Sequence, residues 1–240
     1  MTLDSKGFVT YSFIILAPLF LSLLFMSCWC FWFLNKKHQL NNICNHHVLK
    51  AQEILTHSNN QLMALNAKAW ALIIEKRSLD TLILIGAPPA KAAAQARKRI
   101  VIFKQNALKK IQKTLIFKAN LLAKKEAFQL HKNINRHTKN ISHFWSQDFY
   151  KAKIQLHWKD SQVKPLFKEI APPYKYPPSY TKKQEIEAQW SIPLKSLLPG
   201  WLNKYIPIHE QWKSHCFSHP NKRSLKWIAL TGRAKPLSKL

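Results

Sequence analysis

Residues Phe8–Leu34 read "FVTYSFIILAPLFLSLLFMSCWCFWFL" and contain no charged side chain. As an α-helix this run would be about 40 Å long, which exceeds the roughly 30 Å hydrocarbon core of a bilayer. A secretory signal peptide has a shorter apolar core and ends in small residues, whereas this run ends in "CWCFWFLNKKH". The sequence therefore predicts a retained transmembrane helix over 8–34, with Trp29, Trp32, Lys36 and Lys37 as interfacial anchors.

The net charge of the 240-residue chain is +27, and this charge is spread widely. Met1–Leu34 is neutral, Asn35–Gln147 has 20 basic and 4 acidic residues, and Asp148–Leu240 has 17 basic and 6 acidic residues. A strongly basic chain suggests an anionic partner such as nucleic acid, lipid head groups or envelope polyanions. The even distribution does not mark one specific nucleic-acid site.

The fold is expected to be mainly α with a small α+β part. Residues 35–147 lack glycine and proline except in "GAPPA" at 86–90, which predicts a long antiparallel helical hairpin with its turn at 86–90. Apolar residues recur at helical spacing on both predicted helices. The predicted buried positions are Leu55, Leu62, Leu65, Ala69, Leu72 and Leu79 on the first helix, and Phe103, Ala107, Ile111, Leu115, Ala119 and Leu122 on the second.

The segment 148–240 is expected to form a small strand-containing C-terminal domain. Apolar and polar residues alternate around Ile154–Trp158 and Ile186–Ile192, and Trp227–Thr231 forms a third short run. Alternation with a period of two is typical of half-buried strands. A short antiparallel sheet is therefore predicted.

Residue patterns for catalysis or cofactor binding are lacking in the sequence. The four glycines are too scattered for a phosphate-binding loop, and the few acidic residues are dispersed. Cys44, His46 and His47, with His57, form the best metal candidate, but adjacent helical histidines point about 100° apart and no second cysteine pair is present. We therefore expect no enzymatic activity, no cofactor, no metal and no small-molecule substrate.

The four cysteines fall into two groups. Cys28 and Cys30 lie within the apolar run and are expected to behave as small hydrophobic residues. Cys44 and Cys216 lie outside it, and they could form a disulfide in an oxidising compartment. Sequence separation alone does not show whether their side chains meet.

The beginning of the chain, "KGFVTYSFIILAPLF", resembles a type IV pilin precursor and, more closely, TadE-like pseudopilins of tight-adherence (Tad) pilus systems. Lys6, Gly7 and Phe8 correspond to the leader junction, so the resemblance implies that a prepilin peptidase removes residues 1–7. Phe13 and Pro18 match the helix motif that follows, whereas Ser12 stands where the family usually has Glu. The resemblance implies a minor structural subunit of a pilus or related secretion machine, with other pilin-like or pilus-assembly subunits as partners.

Orientation in the membrane is where two arguments disagree. The resemblance implies a bacterial inner-membrane protein whose C-terminal portion is periplasmic. Lys36, Lys37 and Lys50 outnumber Lys6, however, and the positive-inside rule then favours a cytoplasmic C-terminal portion. The alternative function is a membrane-tethered basic protein that binds nucleic acid or anionic envelope polymers, and membrane topology discriminates between the two.

Overall fold

The computed structural model describes residues 5–142, 153–157, 163–175, 186–193, 211–223 and 226–231. Within these ranges the helices are α1 (Ser5–Ala64), α2 (Asn66–Ile85) and α3 (Pro88–Ser142). The strands are β1 (Lys153–His157), β2 (Lys164–Pro165), β3 (Tyr174–Lys175), β4 (Ile186–Pro193), β5 (Gln211–Arg223) and β6 (Lys226–Thr231). The prediction of a mainly helical chain with a small antiparallel sheet near its C-terminus is confirmed.

The chain divides into two compact units, Met1–Asn42 and Ile43–Leu240, and α1 contributes residues to both. In the first unit the large apolar side chains of α1 from Ile14 to Leu34 that the structure describes are exposed, except for Trp32, which is half-buried. Among the described residues, one helix has an 18-residue window, with a mean hydropathy of 2.3, that is long and apolar enough to cross a membrane. The length and the composition of the helix are the two features that support a membrane span.

In the second unit, α2 and α3 share an apolar core. Ala69, Leu72 and Leu79 of α2 belong to the same buried cluster as Val101 and Leu108 of α3. Burying each of the valine and leucine side chains stabilises the folded chain by about 1.5–3 kcal/mol.

Two ion pairs at the edge of this core also join α2 to α3. The Arg97 Nε atom lies 3.1 Å from Glu75 Oε1, and the Lys98 Nζ atom lies 2.6 Å from Asp80 Oδ1. Both basic partners lie close to the start of α3, and both acidic partners lie in the middle and the second half of α2.

The connection between α2 and α3 depends on a close approach at Gly86. Its N–H donates to the Leu82 carbonyl oxygen at 2.9 Å and closes the last turn of α2. A Cβ atom on Gly86 would lie 2.5 Å from that same oxygen, although the residue has a negative φ of −73°. Glycine is therefore needed here for space and not for a left-handed conformation.

We expect Gly86→Ala to lower the free energy of unfolding by about 1–2 kcal/mol, since the α2 terminus must shift to accept the new methyl group. Chemical denaturation of the full-length chain in detergent measures this change. Ala87→Ser, at the exposed neighbouring position, is the control and is expected to be nearly neutral. Equal denaturation midpoints for wild type and Gly86→Ala would contradict the predicted clash.

Of the predicted buried positions before the turn, Leu55, Leu62, Ala69, Leu72 and Leu79 are buried, whereas Leu65 is half-buried. The predicted buried stripe is wrong for most of α3. Phe103, Ala107, Ile111 and Leu122 are exposed, Leu115 is half-buried, and only Ala119 of the six predicted positions is buried. A series taken every four residues advances 400° per step, so it drifts about 40° around the helix at each step. The described buried positions of α3 follow spacings of three, four and seven residues: Ala94, Val101, Gln105, Leu108, Gln112, Ala119, Ala123, Glu126, Leu130, Ile134 and Thr138.

The larger sheet has the strand order β1-β4-β5-β6, and every neighbouring pair in it is antiparallel. On β4 the side chains of Ile186, Ala188 and Trp190 are buried, whereas those of the intervening residues are half-buried. The alternation seen in the sequence of β4 is therefore confirmed.

Strand β5 was not predicted, although it lies between β4 and β6. Its sequence, "QWKSHCFSHPNKR", is mostly polar and contains a proline. Cys216, Ser218 and Pro220 are its described buried residues, so the period of two is present without large apolar side chains. Pro220 pairs with Ala229 of β6 and lies beyond Ser218, the last β5 residue paired with β4 in the described part of the chain.

The segment 163–175 packs on the helices through apolar side chains and through Asn66. Val163 belongs to one buried cluster with Leu62, and Ala171 belongs to the α2–α3 cluster. The Asn66 Nδ2 group donates to the Tyr174 carbonyl oxygen at 2.7 Å, and its Oδ1 accepts from the Tyr174 N–H at 2.8 Å. One side chain thus satisfies the backbone of β3 as a neighbouring strand would.

Candidate functional site

The pilin-like motif lies entirely within α1. Lys6, Gly7, Phe8, Ser12 and Phe13 are helical in their backbone, and their side chains lie outside the described part of the structure. Pro18 lies inside α1 and is exposed. Proline in a helix interior removes one backbone hydrogen bond and bends the helix. The motif therefore has no described partner side chains in this chain.

The structure joins Cys44 of α1 to Cys216 of β5 in a disulfide. Their Cα atoms are 6.0 Å apart, within the usual span of such bonds. Both cysteines are buried, with exposed fractions of 0% and 1%. One helical turn further along α1, the Val48 carbonyl oxygen accepts a hydrogen bond of 3.0 Å from the buried Ser218 hydroxyl. The sheet is thus attached to α1 at two neighbouring points.

A buried polar cluster lies beside this attachment and links α1 to α3. Glu126 Oε2 is 3.0 Å from His47 Nδ1, and Glu126 Oε1 is 3.1 Å from Lys50 Nζ. Asn133 Nδ2 is 2.9 Å from His47 Nε2. In the neutral tautomer with its proton on Nδ1, His47 donates to Glu126 and accepts from Asn133. Both imidazole nitrogens and both carboxylate oxygens then have partners, as buried polar groups require.

The carboxyl group of Glu126 is held in its charged form. Burial by itself would raise its pKa, but the hydrogen bonds from His47 and Lys50 outweigh this effect, and the pKa is lowered below its ordinary value of 4.5. Because the folded-state pKa is below the unfolded-state pKa, the cluster contributes stability that is fully present above about pH 4.5 and is lost as the pH falls through the folded-state value.

We expect Glu126→Gln to lower the free energy of unfolding by about 1–3 kcal/mol at neutral pH, because charge-assisted hydrogen bonds to a buried group are lost. The difference from wild type should shrink below pH 4.5, where the wild-type carboxylate itself becomes protonated. Denaturation curves at several pH values measure this, with the exposed Glu53→Gln as control. A difference that stays constant from pH 7 to acid pH would contradict the assignment.

The residues Cys44, His46, His47 and His57, noted in the sequence as a metal candidate, do not form one cluster in the described part of the structure. His47 contacts Glu126, Cys44 is in the disulfide, and the exposed His57 ring is 3.1 Å from the Gln61 amide. Among the residues that the structure describes, no group of three or more His, Cys, Asp or Glu side chains is placed to hold a metal ion.

A groove with a volume of about 570 Å³ runs between α1 and α3. Its lining includes Glu53, His57 and Lys118 next to Leu115 and Leu122. The floor is closed where the Ser58 hydroxyl donates to the Leu115 carbonyl oxygen at 3.1 Å. Charged groups of both signs are present, but nothing in the described part of the chain sets up a nucleophile with a base.

Sequence reasoning missed Glu126, Lys50, Asn133 and Ser218. These residues are polar and far apart in the chain, and each lies in a stretch whose pattern indicates a solvated surface.

Comparison with protein-family models, with curated proteins and with solved structures finds no match. What the geometry describes is a structural junction, in which α1, α3 and β5 are joined by a disulfide and a paired polar cluster.

Proposed function

We propose that the chain is a membrane-anchored TadE-like pseudopilin, a minor structural subunit of a Tad or type IV pilus or of a related secretion machine. Residues 8–34 cross the inner membrane once, and the C-terminal portion lies in the periplasm. The proposed architecture is a transmembrane helix, an antiparallel helical hairpin and a small sheet. Its role is mechanical and needs no cofactor.

The observation that carries this proposal is the apolar half of α1. Exposed large side chains lie on all sides of this part of the helix, for example Ile14, Leu19, Phe25 and Phe31. A helix that is apolar on all sides is stable only inside a core or a bilayer. The leader-like sequence of Lys6, Gly7 and Phe8 directly precedes this surface on the same helix.

The Cys44–Cys216 disulfide supports the periplasmic orientation. Disulfides persist in oxidising compartments such as the periplasm and are rare in the cytosol. Cys44 comes only ten residues after the apolar run, so the compartment that contains it is the one that the rest of the chain enters. This argument opposes the positive-inside count at Lys36, Lys37 and Lys50, and we give it more weight because it rests on a specific buried bond.

The antiparallel hairpin is supported by contacts at both ends of α3. Near its start, Arg97 and Lys98 contact Glu75 and Asp80 of α2. Further along, the Leu115 carbonyl accepts from Ser58 of α1, and Glu126 contacts His47. Later residues of α3 therefore meet progressively earlier residues of α1 and α2.

Leader processing tests the proposal directly. In native cells that contain an active prepilin peptidase, intact-mass analysis should give a mature protein that begins at Phe8, because the peptidase cuts after Gly7. Gly7→Leu should block the loss of residues 1–7, since a bulky residue replaces the small one at the cut. Ser5→Ala, two residues upstream, is the matched control and should be processed normally.

Full-length mature protein under these conditions would contradict the pseudopilin proposal. The second candidate function would then be favoured, that of a membrane-tethered basic protein that binds nucleic acid or anionic envelope polymers. The charge of α3 supports this alternative. That helix has fourteen basic residues and a single acidic one, Glu126. A reporter fused to the C-terminus separates the two, because a cytoplasmic C-terminal portion favours nucleic acid and a periplasmic one favours the pilus or an envelope polymer.

A further inference from the structure

Helix α3 has a second apolar surface, on the side of the helix opposite its buried positions. Its large side chains are Ile100, Phe103, Phe117, Leu121 and Phe128, and the three phenylalanines are 75%, 69% and 70% exposed. At 100° per residue these five positions fall within an arc of about 100°, and at 1.5 Å per residue they extend over about 42 Å. This surface is called the outer face of α3 below.

The outer face repeats with a period of seven residues. Counting Ile100 as position a of a heptad abcdefg assigns every large apolar side chain of the outer face to position a or d. The a positions are Ile100, Ala107, Thr114, Leu121 and Phe128, and the d positions are Phe103, Lys110, Phe117 and Lys124. Such a pattern over about four heptads is typical of a seam along which a second helix packs. All of these positions are exposed, so no described part of the chain covers the seam.

The e and g positions, which flank this seam, are positively charged. They hold the exposed residues Arg99, Lys104, Lys113, Lys118, Lys125 and Lys132 and no acidic residue. Within the described ranges, none of these six basic side chains is in an ion pair. The single acidic residue of α3, Glu126, is buried and paired on the opposite side. Because charges at e and g select the partner of a coiled coil, the outer face favours an acidic helix.

The described helices of this chain do not supply such a partner. Their acidic residues are Glu53, Glu75, Asp80 and Glu126, and the last three are already in ion pairs. A second copy of the outer face would place basic residues opposite one another along the whole seam, which is unfavourable. Single-stranded nucleic acid binds in a positively charged groove, whereas the outer face is the convex side of one helix. A helix of another protein, with acidic flanks, fits both the apolar seam and its charge.

We infer that the outer face of α3 binds an acidic amphipathic helix of another protein, which lies side by side with α3. The apolar side chains of the partner pack between Phe103, Phe117 and Phe128, and its carboxylates meet the basic e and g positions. Lys110 and Lys124 interrupt the apolar d positions, and acidic residues opposite them fix the register of the two helices. This inference goes beyond the proposed function, and it does not depend on the orientation of the chain in the membrane.

Binding of designed peptides to the full-length protein in phosphatidylcholine nanodiscs tests this inference. The probe is a fluorescein-labelled peptide of about four heptads, with leucine at a and d and glutamate at e and g. One control peptide has lysine in place of every glutamate, and another has the composition of the probe in scrambled order. Fluorescence anisotropy measures the Kd of each peptide. We expect the acidic peptide to bind at least about tenfold more tightly than either control, and added salt to weaken its binding.

Two triple variants separate the apolar from the charged contribution. Phe103→Ser with Phe117→Ser and Phe128→Ser should weaken binding of the acidic peptide about tenfold, because the seam loses its large apolar side chains. Lys104→Glu with Lys113→Glu and Lys125→Glu should weaken it by a similar factor. This second variant should also gain binding of the lysine peptide, because its flanks then have the opposite charge.

Controls show that these effects belong to the outer face. The melting temperatures of both triple variants should stay close to that of wild type, because the substituted side chains are exposed. Replacing the exposed Ile74, Leu84 and Ile85 of α2 by serine should leave the Kd of the acidic peptide unchanged. Either triple variant decides the question by itself if the other fails to fold.

Equal affinities for the acidic peptide and either control peptide would overturn the inference, as would an unchanged Kd in a folded triple variant. An equal loss of affinity in the α2 control would overturn it as well, because binding would then not occur at the outer face. Tighter binding of a single-stranded oligonucleotide than of the acidic peptide, weakened by the same lysine substitutions, would assign the outer face to nucleic acid instead. None of these outcomes affects the test of leader processing at Gly7, which does not involve α3.

Discussion

Removing the Cys44–Cys216 disulfide is expected to lower the free energy of unfolding of the full-length chain by about 5 kcal/mol. The bond spans a sequence separation of 172 residues, and the loop-closure entropy that it removes from the unfolded chain corresponds to about that value at 25 °C. The side chains of Cys44 and Cys216 are buried, with exposed fractions of 0% and 1%. The replacement Cys44→Ala with Cys216→Ala therefore adds no unpaired polar group.

The measurement is equilibrium denaturation of the full-length protein in detergent, for wild type with and without reductant and for the double alanine variant. The matched control is Cys28→Ala with Cys30→Ala, since these two cysteines are free and exposed. The control should unfold as wild type does, and its midpoint should still fall on addition of reductant. A double variant of Cys44 and Cys216 with an unchanged midpoint would show that the bond does not stabilise the fold.

Leu108→Asp is expected to lower the free energy of unfolding by at least about 4 kcal/mol, because it places an unpaired carboxylate in the core shared by α2 and α3. Leu108 is 1% exposed. Lys110 lies two residues further along α3, on its exposed side. Lys110→Asp should therefore change the free energy of unfolding by no more than about 0.5 kcal/mol.

Half-buried positions give a graded version of the same test. Leu65→Asp and Leu115→Asp should produce intermediate losses, because both side chains retain contact with solvent. Thermal unfolding of the whole series, monitored by circular dichroism, ranks the positions by burial. Equal shifts for Leu108→Asp and Lys110→Asp would mean that the two faces of α3 are wrongly assigned.

The sequence predicted the elements better than it predicted their faces. Lack of glycine and proline is enough to predict long helices, and Gly86 with Pro88 is enough to place the turn between two of them. The face of α3 needs more, because apolar residues lie on two opposite sides of that helix. Gln105 and Gln112 lie on the buried side, whereas Phe103 lies in solvent. A reading based on hydrophobicity selects the wrong side when glutamines are buried and phenylalanines are not.

The sequence could predict the disulfide of the candidate site, because only cysteines form such a bond, but it could not predict the buried polar cluster. Two cysteines outside the apolar run suggest a pair, and the structure joins them. Glu126 has no comparable signal, since a lone carboxylate among lysines has the pattern of a solvated surface. Its partner His47 lies 79 residues away, and only the packing of α1 on α3 brings the two together. Strand β5 was missed for a related reason, because Ser218 and Pro220 occupy buried positions that usually hold larger apolar residues.

The long separation of the disulfide partners has a consequence for the order of events during biogenesis. At a synthesis rate of about 5–20 residues per second, Cys216 emerges roughly 10–30 s after Cys44. In the proposed topology Cys44 therefore waits in the periplasm as a free thiol, while β5 has yet to cross the membrane. Cys28 and Cys30 are the thiols nearest to Cys44 in sequence, and in the proposed topology the bilayer would keep them from pairing with it during this interval. In this topology, Cys216 of β5 is therefore the partner that remains available to Cys44.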